Sequence, residues 1–328
     1  MPASARPAAV TLAQRANRRG GSSGAQLRRY DRRVNPLVFA LVAGAAVLHV
    51  TWNVLLKTAG DPLRAAAIGM TAAGLVICPT AFVVWLVTRP EIPVWSLALG
   101  FLSGILEAAY FSFLAAAYRR GDLSLVYPLA RGTAPLLAVA AGTLILHERL
   151  GPAGFAGVAA LLVGILALQR PWQYLRAAGR TSSGAAGFAL LTGVTIAAYS
   201  AVDSTGVKGT TPILYAGLIW ASGVLFLWLY VWIYRRSGGT VMAHDDARFD
   251  PRRAAVGGLI TLAAYLMILA AFAVAPLTAV APLRESAIVL ASGWGAIRMR
   301  EANDRRDAIR RLGAAGLVLL GALLLAVD

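Results

Sequence analysis

Long apolar runs separated by very short connections dominate this chain. Ten runs come close to the roughly 17 to 25 residues that an α-helix needs to cross a bilayer. They cover residues 36–56, 65–88, 94–118, 123–146, 152–169, 184–203, 212–234, 254–275, 277–297 and 312–327. Because lipid offers backbone groups no hydrogen-bond partner, such runs must be helical. The sequence therefore predicts an all-α polytopic membrane protein with ten transmembrane helices, or nine if the two runs around Pro276 are one.

The composition excludes several other classes of protein. The 328 residues are 58% hydrophobic and only 14% charged, and their mean hydropathy is +0.67, unlike a soluble domain. The single cysteine, Cys78, cannot form an intrachain disulfide, and no Cys/His cluster has the spacing of metal ligands. We therefore expect neither a metal nor a cofactor.

The formal charge of +16 does not indicate nucleic-acid binding. Eight Arg and one Asp in the first 33 residues supply +7, and most other Arg flank the apolar runs. This distribution is typical of membrane-anchoring loops. Residues 1–34 are rich in Arg, Ala and Ser without an apolar stretch, so we expect a disordered tail and not a secretory signal. We also hypothesise that translation begins near Val34, which N-terminal sequencing of the native protein would test.

The charges between the runs leave the orientation open. With ten spans both termini share one side, whose loops carry Arg89, Arg149 and Lys208, whereas the opposite loops carry 18 Lys or Arg. The positive-inside rule then places the termini outside. If the eight Arg of the tail are counted, this bias nearly disappears.

The two halves of the chain resemble each other. "LSLVYPLARGTAP" from Leu123 matches "LTAVAPLRESAIV" from Leu277, and "GTLILHE" matches "GAIRMRE". The matching pairs are Leu123 and Leu277, Val126 and Val280, and Pro128 and Pro282 at an offset of 154, followed by Gly142 and Gly295, and Glu148 and Glu301, at an offset of 153. Because five spans per half is an odd number, the second copy enters the membrane from the opposite side. The sequence predicts two inverted five-helix repeats, residues 35–170 and 184–328, joined by a linker over residues 171–183.

One block of the first half resembles a known family. "GDLSLVYPLARGTAPLLAVAAGTLILHERLGPAGFAGVAALLVGILAL" is similar to the fourth and fifth spans of EamA-type carriers of the drug/metabolite transporter superfamily, and "LHVTWNVLLK" is similar to their first span. The resemblance implies ten spans in two halves and transport of metabolites, amino acids, nucleotide-linked sugars or drugs. The second half departs from the pattern, because "REANDRRDAIRRLG" replaces "HERLG".

Charged side chains at membrane depth identify the candidate site. Each costs at least about 2.5 to 3.5 kcal/mol and therefore needs a partner or a water-filled cavity. The residues of this kind are His49, Glu107, Arg131, Asp203, Arg284 and Glu285. In the first span His49, Trp52, Asn53 and Lys57 share one helical face, which predicts a cavity lining. The alternative is that these four side chains only pack, hold helices together and reach the interface.

Arg131 carries the most information. It lies between Pro128 and Pro135, which leave backbone carbonyl groups free near the middle of the membrane. A guanidinium group there can bind a carboxylate or phosphate with two hydrogen bonds. The alternative is an internal ion pair with Glu107, and the two arrangements can also be successive states of one cycle.

The second repeat places Glu285 at the position of Arg131, with Arg284 beside it. Adjacent helical residues point about 100° apart, so only one of the two faces the centre squarely, and repeat symmetry favours Glu285. Glu107 and Glu285 are the candidate proton carriers. Aromatic rings complete the predicted substrate-binding set: Tyr110, Tyr127 and Tyr265, with Tyr199 nearby. The alternative is that each ring packs in the core or lies in the interfacial belt, which is more common for a tyrosine than contact with a ligand.

These observations predict a secondary active transporter, an exporter or permease, in a bacterial inner membrane. Its cavity would lie between the first, third and fourth spans and their counterparts, and it would work by alternating access. Arg131 favours an anionic or zwitterionic metabolite. No ATP-binding motif is present, so an ion gradient, with protons as a candidate, or the solute gradient would supply the driving force. The alternatives are an integral-membrane enzyme, whose acidic cluster would be "HDDARFD" at residues 244–250, or a non-transporting accessory protein.

Overall fold

The computed structural model describes residues 36–57, 61–120, 123–170, 172, 184–237, 249–284 and 305–327. Within these ranges it contains nine α-helices, a short 3-10 helix over Val207–Gly209 and helical backbone over residues 277–284. The α-helices are α1 (Pro36–Lys57), α2 (Pro62–Thr88), α3 (Val94–Tyr118), α4 (Leu123–Leu144), α5 (Pro152–Gln169), α6 (Ala185–Gly206), α7 (Pro212–Arg236), α8 (Pro251–Val274) and α9 (Arg305–Val327). The predicted tail, residues 1–34, lies outside the described residues, as do residues 173–183 of the predicted linker and Glu285.

The helices follow the predicted apolar runs closely, and most ends differ by three residues or fewer. Helix α6 continues to Gly206, and α9 begins at Arg305, seven residues before the predicted run. A search for apolar runs stops at the first charged residues, whereas a helix continues through the interface as long as its backbone bonds are satisfied. By length and composition, five helices are able to cross a membrane, namely α2, α3, α6, α7 and α8, and α1, α4, α5 and α9 contain shorter apolar stretches.

Several helices begin at a capping residue followed by proline. The Asp61 carboxylate accepts hydrogen bonds from the backbone N–H groups of Leu63 and Arg64 at the start of α2. Asp250 caps α8 in the same way, and the Thr211 hydroxyl caps α7. A side-chain oxygen accepts hydrogen bonds from free N–H groups of the first turn, and proline has no N–H group that would need a partner. These Asp-Pro and Thr-Pro pairs fix where three helices start.

Apart from the contact of α4 with α6, the main helix contacts in the described part of the chain follow a two-fold pattern. Helix α8 packs against α1 and α2, and α3 packs against α6 and α7; α2 also packs against α7, and α5 against α9. If the halves are exchanged as the sequence repeat requires, α1 becomes α6, α2 becomes α7, α3 becomes α8 and α5 becomes α9. When each helix is replaced by its counterpart, every contact named above becomes another of these contacts or stays the same contact. The ten-helix inverted repeat remains a prediction, because residues 285–304 lie outside the described part of the chain.

Two helix crossings bring backbone against backbone. In one, Gly69 of α2 meets Gly258 of α8, and a Cβ on Gly258 would collide with the Gly69 carbonyl group. In the other, Gly104 of α3 meets Gly223 of α7, and a Cβ on Gly104 would lie 2.7 Å from the Gly223 nitrogen. Gly69 and Gly223 are 154 residues apart, as are Gly104 and Gly258, which is the offset of the repeat. Such close approach needs glycine on both helices.

A glutamate from the first half caps the helical segment 277–284 in the second half. Glu148, in the turn after α4, accepts hydrogen bonds from the backbone N–H groups of Leu277 at 2.8 Å and Thr278 at 2.9 Å. Its carboxylate therefore satisfies two N–H groups of a first helical turn and lies at the positive end of that helix. Gly142 makes room for this contact, because a Cβ there would lie 2.6 Å from a Glu148 oxygen.

We predict that Glu148→Ala lowers the free energy of unfolding by about 1 to 2 kcal/mol, because the variant loses a charged helix cap. The measurement is the melting temperature of the purified protein in detergent. Glu91→Ala is the matched control, since Glu91 is an exposed glutamate in another turn. Equal melting temperatures for the two variants would show that the Glu148 cap contributes nothing to stability.

Candidate functional site

Two adjoining cavities lie among the helices. The outer cavity has a volume of about 530 Å³ and the inner cavity about 440 Å³, and both volumes include space open to the outside. Because both are lined by Trp52, Glu107, Phe111, Thr261 and Tyr265, the two cavities adjoin and can be described as one chamber with two parts. We call it the central chamber.

The two ends of the central chamber differ in character. The outer end is mainly apolar, with Met70 and Ile219 on its wall, and it extends to Arg253. The Arg253 side chain is 60% exposed and pairs with Asp250 at 3.2 Å, so this end reaches the surface. The inner end contains the polar groups of His49 and Arg284. A solute entering past Arg253 would therefore meet apolar and aromatic walls first and charged groups further in.

A continuous series of aromatic rings forms much of the wall. The ring-centroid distances are 5.9 Å for Trp52 and Phe111, 4.9 Å for Phe111 and Tyr110, 5.9 Å for Tyr110 and Tyr199, 6.0 Å for Tyr199 and Tyr265, and 5.6 Å for Tyr265 and Trp220. These rings come from α1, α3, α6, α8 and α7 and are all buried. Most of the pairs meet edge to face, a favourable arrangement for aromatic rings. The wall is therefore pre-formed, and it can hold an aromatic or a cationic group.

Two acidic side chains meet at one tyrosine. The Tyr265 hydroxyl of α8 donates a hydrogen bond to Asp203 Oδ2 of α6 and is within hydrogen-bonding reach of the Glu107 carboxyl group of α3. The positive charge of Arg284 acts on both acidic groups. The Arg284 guanidinium carbon lies 5.9 Å from the centre of the Tyr199 ring. All four of these polar side chains are buried, so the chamber carries both signs of charge away from solvent.

Arg131 lies beside the central chamber, in a separate cavity. It is 5% exposed and lines about 220 Å³ of empty space with Tyr110, Tyr118 and Thr192. Its charge acts on His49 and Tyr110. In the described part of the chain, Arg284 is the cation whose charge acts on Glu107. The sequence alone also allowed an ion pair of Glu107 with Arg131. The role of Arg131 as an anion clamp stays a prediction.

On the predicted polar face of α1, the structure describes the side chains of His49 and Trp52. The Trp52 indole N–H donates to His49 Nδ1 at 3.1 Å, and both side chains line the chamber. The side chains of Asn53, Lys57 and Tyr127, and all of Glu285, lie outside the described part of the chain. Of the predicted set, the structure brings His49, Trp52, Glu107, Tyr110, Tyr265 and Arg284 together around one chamber.

Sequence reasoning missed several parts of this chamber. It placed the cavity between the first, third and fourth spans and their counterparts, whereas α2 and α7 also line it. Phe111 and Trp220 lie in apolar runs without a polar pattern that would have singled them out. Asp203 was noted as a charge at membrane depth but was not selected for the site. The free-energy cost of a charged Asp203 side chain in lipid was the signal that could have assigned this residue to the site.

A buried chamber with charged and aromatic walls, surrounded by long apolar helices, is typical of a multi-pass membrane protein. Residues 36–169 match the model of the EamA-like transporter family. This similarity covers helices α1 to α5.

Two relatives extend the comparison. The chain is 39% identical over 70 residues to the spermidine export protein MdtI of Salmonella arizonae; the match covers 21% of this chain and 64% of that protein. The chain therefore spans less than two thirds of that relative's length. A crystal structure of a protein with 18% sequence identity covers 88% of this chain and 97% of its own, with a TM-score of 0.59. The latter similarity concerns the fold alone.

Proposed function

We propose that this protein is a secondary active transporter that moves a small metabolite across the bacterial inner membrane by alternating access. The observation that carries the proposal is the central chamber, where helices of both halves place charged and aromatic side chains around one space. The match of residues 36–169 to the EamA-like transporter family and the similarity to an export protein support it. In this proposal the chain is a carrier and has no catalytic activity.

The pattern of helix contacts supports a rocking mechanism. Alternating access by inverted repeats needs two similar halves that meet at a central site. The exchange symmetry of the contacts and the paired glycine crossings favour such halves, with residues 35–170 and 184–328 as the two repeats. A shift of one half against the other would then close the chamber on one side of the membrane and open it on the other.

The exposed end of the chamber supports loading from the cytoplasm. Arg253 lies at the start of α8, and with ten alternating spans this end faces the same side as the end of α7, which carries Arg235 and Arg236. When the eight Arg of the tail are not counted, this is the side with the excess of basic residues, which the positive-inside rule assigns to the cytoplasm. A chamber reached from that side suits an exporter.

The charged groups of the chamber favour a zwitterionic solute. Arg284 can bind a carboxylate with two charge-assisted hydrogen bonds at the inner end. Glu107 and the rings of Trp52 and Trp220 can surround an ammonium group, because aromatic faces attract cations. A solute with both groups would satisfy both charges when it displaces water.

A ligand screen and a flux assay together test this function. We would compare the melting temperatures of the wild type, Arg131→Ala and Arg284→Ala proteins across a metabolite library, because binding to the folded state raises the melting temperature. Zwitterionic compounds should stabilise the wild type. Vesicles that contain the reconstituted protein should then exchange the stabilising compound across their membrane. The compound should be recovered chemically unchanged. Conversion of the compound would favour the enzyme alternative, and binding without exchange would favour the accessory protein.

We predict that Trp220→Ala weakens binding of a stabilising compound about tenfold, because the chamber loses an aromatic wall worth roughly 1 to 2 kcal/mol to a bound cation. The measurement is a calorimetric titration with the purified protein. Trp228→Ala is the matched control: Trp228 lies on the same helix, is 39% exposed and donates to the Thr71 hydroxyl outside the chamber. If both variants bind equally, Trp220 does not contact the solute.

A further inference from the structure

Asp203 is fully buried but lines neither part of the central chamber. Its link to the chamber is the Tyr265 hydroxyl, which also reaches Glu107. We propose that Glu107, Tyr265 and Asp203 form one proton-binding unit, in which a single proton is held between two carboxyl groups. This inference rests on the proposed function, because the proton would serve as the coupling ion of the carrier.

The surroundings of Asp203 suit a carboxyl group that gains and loses a proton. Asp203 Oδ1, Ser103 Oγ and Ser200 Oγ are all buried and form no hydrogen bond with any part of the chain that the structure describes. Ser103 lies beside the Asp203 carboxyl group, and Ser200 lies one helical turn before it. The hydroxyl groups of Ser103 and Ser200 can donate to Oδ1 when the carboxyl group is ionised and also when Oδ2 carries a proton, so Asp203 can be satisfied in both states.

The two serines differ from other hydroxyl residues in these helices. Ser112, Thr133, Thr192 and Ser222 each donate to a backbone carbonyl of the preceding turn. Ser103 and Ser200 make no such bond within the described helices, so their hydroxyl groups are available to Asp203. A metal ion fits this position less well, because Asp203 lines none of the described cavities.

The balance of charge also calls for one proton. In the described part of the chain, Arg284 is the cation that acts on both Glu107 and Asp203. With both acids ionised, this group of three carries one net negative charge in a buried place, which is costly. The other titratable groups nearby are the tyrosines at 110, 199 and 215 and His49, and Arg131 acts on His49 and Tyr110. One added proton neutralises the unit.

The geometry supplies a path for that proton. Glu107 lines the chamber and can take a proton from water, while Asp203 is shielded from it. The Glu107 O–H bond breaks as its proton passes to the Tyr265 oxygen, and the original Tyr265 O–H bond breaks as its proton passes to Asp203 Oδ2. Tyr265 ends with one proton, as it began, so the net result is transfer from Glu107 to Asp203.

Infrared difference spectroscopy tests the unit without a substrate. The full-length protein, reconstituted in phosphatidylcholine vesicles, would be compared between neutral and alkaline buffer for the carbonyl stretch of a protonated carboxyl group. We expect one such band in the wild type. Both Asp203→Asn and Glu107→Gln should lose it, because the remaining acid is balanced by Arg284 and needs no proton. Glu91→Gln, which changes an exposed acid, should keep it.

Two outcomes would contradict the proposed proton-binding unit. One is a wild type that lacks the carbonyl band, and the other is an Asp203→Asn protein that retains this band in full. Size-exclusion profiles and melting temperatures establish that each variant is folded, and Glu107→Gln provides an independent test if Asp203→Asn does not fold. Flux measurements separate this result from the proposed function. A protein with the band that exchanges no solute contradicts the carrier function alone, whereas a protein that exchanges solute without the band contradicts the proton unit alone.

Discussion

Arg284→Ala is expected to lower the affinity for a zwitterionic solute by about 10- to 100-fold, since hydrogen bonds to charged groups are worth roughly 1.5 to 3 kcal/mol. Arg284 is a buried arginine on the wall of the inner cavity, and it lies above the Tyr199 ring near Glu107 and Asp203. Without it the solute carboxylate would enter a buried space beside acidic groups. The measurement is a calorimetric titration of the purified variant with a compound that stabilises the wild type.

Two further variants identify the cause of the lowered affinity. Arg252→Ala removes an exposed arginine near the start of α8 and should bind as the wild type does. Arg284→Lys keeps the charge but loses the planar fork, so it should recover part of the affinity. If Arg284→Ala binds normally while Arg131→Ala does not, the anion site is in the smaller cavity of Arg131, as the sequence first indicated.

The helices could be predicted because the bilayer restricts the choices. Apolar runs of sufficient length have to be helical in lipid, and the Asp-Pro and Thr-Pro pairs before α2, α7 and α8 mark helix starts. The early start of α9 could not be predicted in this way, because its first turns are basic and an apolar criterion passes over them. The contact between Glu148 and residues 277–278 was equally hidden, since it joins positions about 130 residues apart.

Part of the site could be predicted from the cost of buried charge. This cost identified Glu107, Arg284 and Asp203 as residues that need partners, and helical spacing placed His49 beside Trp52. The choice between Arg284 and Glu285 depended on the rotation of one helix, which sequence symmetry alone does not fix; the structure places Arg284 on the chamber wall. The contact of Tyr265 with Asp203 depends on how α6 and α8 pack, and no local pattern encodes it.

Gly258→Ala is expected to destabilise the protein by about 3 kcal/mol or more, the upper range for an overpacked core. The added methyl group would collide with the backbone of Gly69, and neither backbone can move aside as a flexible side chain does. Helices α2 and α8 would have to separate, and the outer wall of the chamber, which includes both glycines, would open with them. The measurement is the free energy of unfolding in mixed micelles, with the folded yield from size-exclusion chromatography.

The neighbouring residue provides a control of opposite sign. Gly257 lies on the same helix, and a Cβ there would be 3.6 Å from Leu55, an ordinary contact. Alanine favours a helix over glycine by about 1 kcal/mol, so Gly257→Ala should be neutral or stabilising. Gly104→Ala, at the crossing of α3 and α7, should behave like Gly258→Ala if the two crossings are equivalent. A stable Gly258→Ala protein would show that α2 and α8 do not approach this closely, and the glycine argument for the inverted repeat would be lost with it.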